Sequence, residues 1–227
     1  MLNYTVDPSL LLPLVPRGTE LDTFNGLHTV SLVAFHFRHT RVCGVPVPFH
    51  RFFEEVNLRF YVSRQTGGEM RRGVVFIREL VPRTMIALVA RTLYNEPYRS
   101  LPMGYTFQFS TTDPLHPERI SFHWGDRDHR CSVDAAPIGD SLLPESGSEA
   151  EFITEHYWGY TRQPDGSTKE YRVEHPRWNV WTQASATISG PHASHYEPSF
   201  AQLLNSKPRS VLVADGSPVR VFRGARI

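Results

Sequence analysis

Glu54-Glu55-Val56-Asn57-Leu58-Arg59-Phe60-Tyr61-Val62 sets apolar side chains on one parity (Val56, Leu58, Phe60, Val62) and polar ones on the other (Glu55, Asn57, Arg59, Tyr61). Side chains alternate across a β-strand, so the stretch predicts a ribbon with one apolar face. The other face bears an acid, an amide, a guanidinium and a phenol. On an open sheet those groups meet water. Inside a barrel they line a cavity able to hold a small polar ligand.

Working outward, Asn25-Gly26 signals a tight turn into a strand over about 27–38, and Thr66-Gly67-Gly68 turns the chain at 54–63 into a strand around 73–77. One amphipathic helix is expected after Pro82, with Ile86, Val89 and Leu93 on one face and Asn95-Glu96-Pro97 as its stop. Short strands resume at 103–110, 119–125 and 129–134. Further strands near 156–162 and 168–175 flank the turn Pro164-Asp165-Gly166-Ser167, and others follow at 178–188, 209–213 and 218–223. Helical turns are expected from the Asp7-Pro8 start, from the Ser148/Glu151 capping box and over 198–204.

Many short strands and few helices predict an α+β chain, predominantly antiparallel β. A sheet of about ten strands tends to curl or close. The expectation is therefore a closed or conical double-layered β-barrel with a few short helices, one domain over 1–227.

The net charge is +1, and Arg71-Arg72 is the only adjacent Lys/Arg pair, so no basic footprint for nucleic acid exists. The longest apolar run near the N-terminus, Leu10-Leu11-Leu12-Pro13-Leu14-Val15, is short and broken by proline. It predicts neither a signal peptide nor a membrane span. Cys43 and Cys131 match no metal or redox spacing and read as free thiols of a cytoplasmic protein. Lysines occur only at 169 and 207, which leaves few amines for Schiff-base chemistry. No nucleophile elbow, Walker loop, dinucleotide fingerprint or paired Cys-x-x-Cys is present.

Several segments together resemble the YqjF-like family, a branch of the acetoacetate decarboxylase-like superfamily. They are Leu14–Gly18 running into Glu20–Gly26, Val56–Val62, Ala90–Tyr98 and Glu155–Tyr160. The resemblance implies a conical double-layered barrel around a buried cavity, relatives that handle small oxo-acids, and self-association, a dimer being the simplest case. True acetoacetate decarboxylases form a Schiff base through a lysine just after an Arg-Glu pair and a proline. Here Arg78-Glu79-Leu80-Val81-Pro82-Arg83 puts arginine in a similar place, and a guanidinium cannot form the imine.

Among candidate site residues, Arg59 would clamp a carboxylate or enolate and Glu55 would serve as general base. Asn57 and Tyr61 complete their face. The bland alternative is a solvated sheet face, or a structural Glu55–Arg59 pair. Arg78, Glu79 and Arg83 are candidate ligand contacts. Strand parity puts Arg78 with Val74 and Phe76, and Glu79 with Val75 and Ile77, so only one of the two can face a cavity. Tyr157, in the aromatic run His156-Tyr157-Trp158, is a candidate cavity wall. His123, Asp126, Asp128, His129 and Cys131, like His192, His195 and Glu197, lack a recognised ligand spacing. No metal and no cofactor is expected.

Three functions remain. The first is an enzyme-like barrel acting on a small oxo- or carboxylic acid without a Schiff-base lysine. The second is a non-catalytic protein that binds or senses a small molecule. The third is a structural barrel with a filled interior. The expected partner is a small-molecule ligand, with neither nucleic acid nor membrane.

Overall fold

Residues 54–62 form the middle of a 15-residue strand, Phe52–Thr66. Val56, Leu58, Phe60 and Val62 are all fully buried in the main apolar core, and the alternate residues face the other side, as the pattern requires. The structure is a computed structural model. It describes every residue except 39–40, 43–44, 47–51, 85–86, 89–94 and 115, and at 38, 41, 42, 45 and 46 the backbone alone.

Strands of four or more residues are numbered β1 (Leu2–Thr5), β2 (Thr29–Arg38), β3 (Phe52–Thr66), β4 (Glu69–Val81), β5 (Met103–Phe109), β6 (Pro117–Trp124), β7 (Cys131–Pro137), β8 (Trp158–Arg162), β9 (Thr168–Glu174) and β10 (Ala184–Ser189). The larger sheet runs Ser210–Val211, β1, β2, β3, β4, β8, β9, Arg220–Val221. The smaller runs β10, β7, β6, β5. Pairing is antiparallel except where β8 and the short strand Tyr98–Ser100 each join β4 in parallel. Among the described residues the larger sheet is an open path, so strand pairing does not itself make the closed wall expected from the strand count.

The main core lies between the apolar face of β3 and side chains of the smaller sheet, including Phe122, Trp124, Cys131 and Val133. Phe200, Ala201 and Leu204 join it from helix α2 (Pro198–Leu204). Helix α1 (Glu149–Thr154) sits on the opposite side of the larger sheet, where Phe152 and Ile153 cluster with Tyr61 and Val74. Its start follows the expected cap: Ser148 Oγ accepts from Glu151 N at 3.1 Å. The Glu151 carboxylate, however, accepts from Gly147 N at 2.7 Å, one residue earlier than a capping box requires.

Two features of β4 organise the site. First, Leu58 pairs with Arg78 but Arg59 pairs with Phe76, so Ile77 is an extra, bulged residue. Second, the outer edge of β4 is shared: Gly73 and Val74 pair with β8, whereas Glu79, Leu80 and Val81 pair with Tyr98–Ser100. Two stretches distant in sequence thereby meet beside one strand.

Most of the helix expected after Pro82 lies outside the described residues. Thr84, Ala87 and Leu88 are helical, and Ala87 N donates to Arg83 O at 3.2 Å. Asn95 has φ of 58°, in the left-handed region that asparagine tolerates. The strand expected over 178–188 is two pieces, Val180–Trp181 and β10.

Candidate functional site

The bulge decides which β4 side chains accompany Glu55. Cross-strand neighbours share a face, and Glu79 stands directly across from Asn57 and next to Tyr98. Glu79 therefore joins Val74 and Phe76 on the polar side of the sheet, and simple parity is overturned by one extra residue. Arg78 pairs with Leu58, whose side chain is in the apolar core, and its charge acts on Tyr196. Arg78 is thus held off the Glu55 face, and Arg83 is exposed beyond the end of β4.

Three acids converge in the corner that the split edge creates. Glu55 and Glu79 are each 2% exposed and Glu96 6%. Asn57 Nδ2 donates to Glu55 Oε1 at 3.1 Å, and the Tyr98 hydroxyl donates to Oε2 at 3.1 Å. Tyr98 also hydrogen-bonds Glu79, whose Oε2 has no partner. On Glu96, one oxygen accepts from the Thr161 hydroxyl and from the Tyr171 hydroxyl, the latter at 2.8 Å. Gly159 opens the way for that contact: it pairs with Tyr171, and a Cβ on it would lie 2.1 Å from the ring.

Burial dominates the electrostatics. It pushes Glu55 up to about 7, against hydrogen bonds from Asn57 and Tyr98 and the charge of Arg59. It likewise pushes Glu96 up to about 7, against hydrogen bonds from Thr161 and Tyr171. Glu79 goes well above the usual carboxylate range, through burial and then the charges of Glu96 and Glu55. Near neutral pH the cluster therefore shares protons, because three carboxylates this close in a dry corner cannot all ionise. Burial also raises Tyr98 and Tyr171, which stay protonated as donors.

Arg59 lies one step along the same face as Glu55 and Asn57. Its Nη2 donates to Ile153 O at 3.2 Å, its Nε has no partner, and its guanidinium stands 5.6 Å from the Tyr61 ring. Among the described residues no carboxylate pairs with it, so the expected alternative of a Glu55–Arg59 ion pair is not formed. Tyr61 itself is buried under Phe152 and His156, with its hydroxyl 2.7 Å from Ser31 Oγ. Tyr157 lies apart, its hydroxyl held by Glu155 and its ring 5.0 Å from His175.

Glu55, Asn57, Arg59, Glu79, Glu96, Tyr98, His156 and Tyr171 all border one open groove of about 2840 Å³. Ordinary small-ligand sites enclose roughly 300–1,000 Å³, so this polar corner is one part of the groove. Aromatic side chains of β5 and β6, among them Phe107 and Phe122, line another. Of the residues singled out from sequence, four meet here: Glu55, Asn57, Arg59 and Glu79. Glu96, Tyr98, Thr161 and Tyr171 escape a linear reading, because Asn95-Glu96-Pro97 signals only a helix stop and cross-strand reach is invisible in a one-dimensional pattern.

Lys169 belongs to the strand that follows the Pro164–Ser167 turn. It pairs with Thr161 in β9, shares that face, and its charge is one influence lowering Glu96. Among the described residues no group of three or more His, Cys, Asp or Glu side chains is placed to hold a metal ion. No described helix is long and apolar enough to cross a membrane.

The DUF2071 family profile, described as "Uncharacterized conserved protein", matches residues 1–218. The chain belongs to this family. It is 30% identical over 188 residues to the "Uncharacterized protein YqjF" of Bacillus subtilis (strain 168), covering 82% of this chain and 73% of that relative. Acetoacetate decarboxylase from Legionella pneumophila superposes with a TM-score of 0.65 at 14% identity, over 100% of this chain and 82% of that one. An acetoacetate decarboxylase-like enzyme from Sphingomonas wittichii RW1 gives a TM-score of 0.65 at 13% identity, over 100% and 89%. At such identities the likeness is one of fold: this DUF2071 chain is mostly β, rich in antiparallel pairs, with an acetoacetate decarboxylase-like arrangement.

Proposed function

We propose that this chain moves a proton at the carbon beside the carbonyl of a small oxo-acid, without a lysine or an imine. Arg59 holds the substrate carboxylate. An ionised Glu55 takes the proton from carbon, the electron pair moves to the carbonyl oxygen as an enolate, and a protonated acid of the cluster donates to that oxygen. Return of the proton to carbon closes the cycle with no co-reactant. The observation that carries this reading is a guanidinium with no carboxylate partner, on the same sheet face as acids that burial keeps partly protonated. General acid–base groups work best when their pKa lies near the working pH, and burial is the usual way to raise a carboxyl there.

The likeness to acetoacetate decarboxylase supports a small oxo-acid as the ligand and a cone-like wall around it. Decarboxylation through an imine is disfavoured, because no lysine follows Arg78-Glu79.

The test is solvent exchange. Pyruvate in D2O is followed by proton NMR with the protein, with Glu55→Gln and with Arg59→Gln. Loss of the methyl signal is expected to be faster than in buffer, and to fall roughly 100-fold or more in each variant. Binding of pyruvate without any exchange would favour the sensing protein instead, in which the acids serve only as fixed hydrogen-bond partners.

A further inference from the structure

Among the described residues, one wall of the groove leaves three buried hydrogen-bonding atoms without partners: Nε of Arg59 and both ring nitrogens of His156. His156 is 7% exposed and borders the groove. Its ring lies 4.6 Å from the Tyr61 ring, the same aromatic that the Arg59 guanidinium approaches to 5.6 Å. Phe152 meets the imidazole edge-on at 5.3 Å and limits its rotation. A buried polar group left unpaired is costly, because it has given up its hydrogen bonds to water. Several at one spot mark a place where something else supplies the partners.

The imidazole is uncharged. Burial, then the charges of Arg59 and Arg72, hold its pKa well below the usual histidine value. A neutral ring offers one N–H donor and one bare nitrogen acceptor, whereas Arg59 offers donors only. The two groups therefore ask for different atoms: an anion for the guanidinium, and a neutral oxygen for the ring. A plain monocarboxylate satisfies the first and leaves the second unpaired. A carbonyl oxygen beside the carboxylate accepts from the ring N–H, and a hydroxyl there can both accept and donate.

Resting on the reading that Arg59 holds the carboxylate, we propose that His156 recognises the oxygen on the adjoining carbon, so that the site takes 2-oxo or 2-hydroxy acids in preference to unsubstituted acids. A pocket built to hydrogen-bond a substrate oxygen rejects the analogue lacking it, because its own buried groups are then stranded.

Titration calorimetry with pyruvate, lactate and propionate tests this on the wild type, His156→Phe, His156→Gln and Arg59→Gln. The wild type is expected to bind pyruvate and lactate roughly tenfold or more tightly than propionate. In His156→Phe the three acids bind alike, and His156→Gln, which keeps a donor, recovers part of the preference. Arg59→Gln weakens all three. Equal wild-type affinity for the three acids, or a preference that survives in His156→Phe, overturns the role of His156 and leaves the carboxylate site standing. Failure of the wild type to bind any of them overturns the carboxylate site itself.

Discussion

The single hydroxyl hydrogen of Tyr98 faces two carboxyls: it is donated to Glu55 at 3.1 Å, while Tyr98 also hydrogen-bonds Glu79. One hydrogen cannot serve both at once, and a protonated Glu79 would supply the second bond from its own O–H. This agrees with burial and the charges of Glu96 and Glu55 raising Glu79 well above the usual range. Two acids on adjacent strands thus meet at one phenol.

A neutral Glu79 predicts that Glu79→Gln is nearly silent in stability, because an amide NH2 can replace the carboxyl O–H toward Tyr98. A change within about 1 kcal/mol is expected in urea unfolding. Glu170→Gln is the contrast. That carboxylate bridges Arg64 at 2.9 Å and Arg71 at 2.7 Å, and its loss should cost about 1–3 kcal/mol. Equal penalties for the two variants would mean that Glu79 is ionised and held by charge.

The raised acids also set the pH dependence of folding. Glu55 and Glu96 titrate at about 7 in the folded chain, against 4.5 for an exposed glutamate in the unfolded one. Between those values the folded chain holds protons that the unfolded chain has released, so the stability these two acids contribute is present near the lower value and is lost as pH rises to about 7. The lowered Asp134 works oppositely, through its hydrogen bond from Ser121 and the nearby Arg119, and costs stability at more acidic pH. The buried N-terminal amine, lowered to about 5, and His156, lowered by burial, also work oppositely over this range, so the acids are isolated by comparing variants in urea at pH 5 and pH 8. Relative to the wild type, Glu96→Gln should lose on the order of 1–3 kcal/mol more stability at pH 5 than at pH 8. A pH 5 to pH 8 difference in Glu96→Gln equal to that of the wild type would mean that Glu96 is not raised.

Gly159 is required for space. A Cβ there would stand 2.1 Å from the Tyr171 ring, so Gly159→Ala must push that ring away and break its bond to Glu96. A loss of about 2–4 kcal/mol is expected from overpacking plus a stranded buried acid. Gly166→Ala, at a turn with φ of +80° and nothing within 4 Å of the added carbon, should cost only about 1–2 kcal/mol of backbone strain. Thermal unfolding of the two variants compares them directly.

The alternation at 54–62 is enough to read the two faces of β3, because no extra residue interrupts that strand. It is not enough for β4, where the extra Ile77 reverses the parity by which Arg78 and Glu79 are sorted in the sequence. A bulge depends on the register of two strands and leaves no mark in either one alone. Glu96 is hidden for another reason: its turn chemistry, with Asn95 at positive φ before it and Pro97 after, masks a buried acid. Tyr61 shows the limit of the face argument, since helix α1 covers that end of the polar side.

The proposed chemistry depends on carboxyls that face the groove and stay partly uncharged at neutral pH. Carbon-13 NMR of glutamate-labelled protein, with signals assigned through Glu55→Gln and Glu96→Gln, measures this directly. Midpoints near 7 are predicted for both acids. Midpoints near 4.5 would show both fully ionised at neutral pH, leaving no proton in the cluster to give or share.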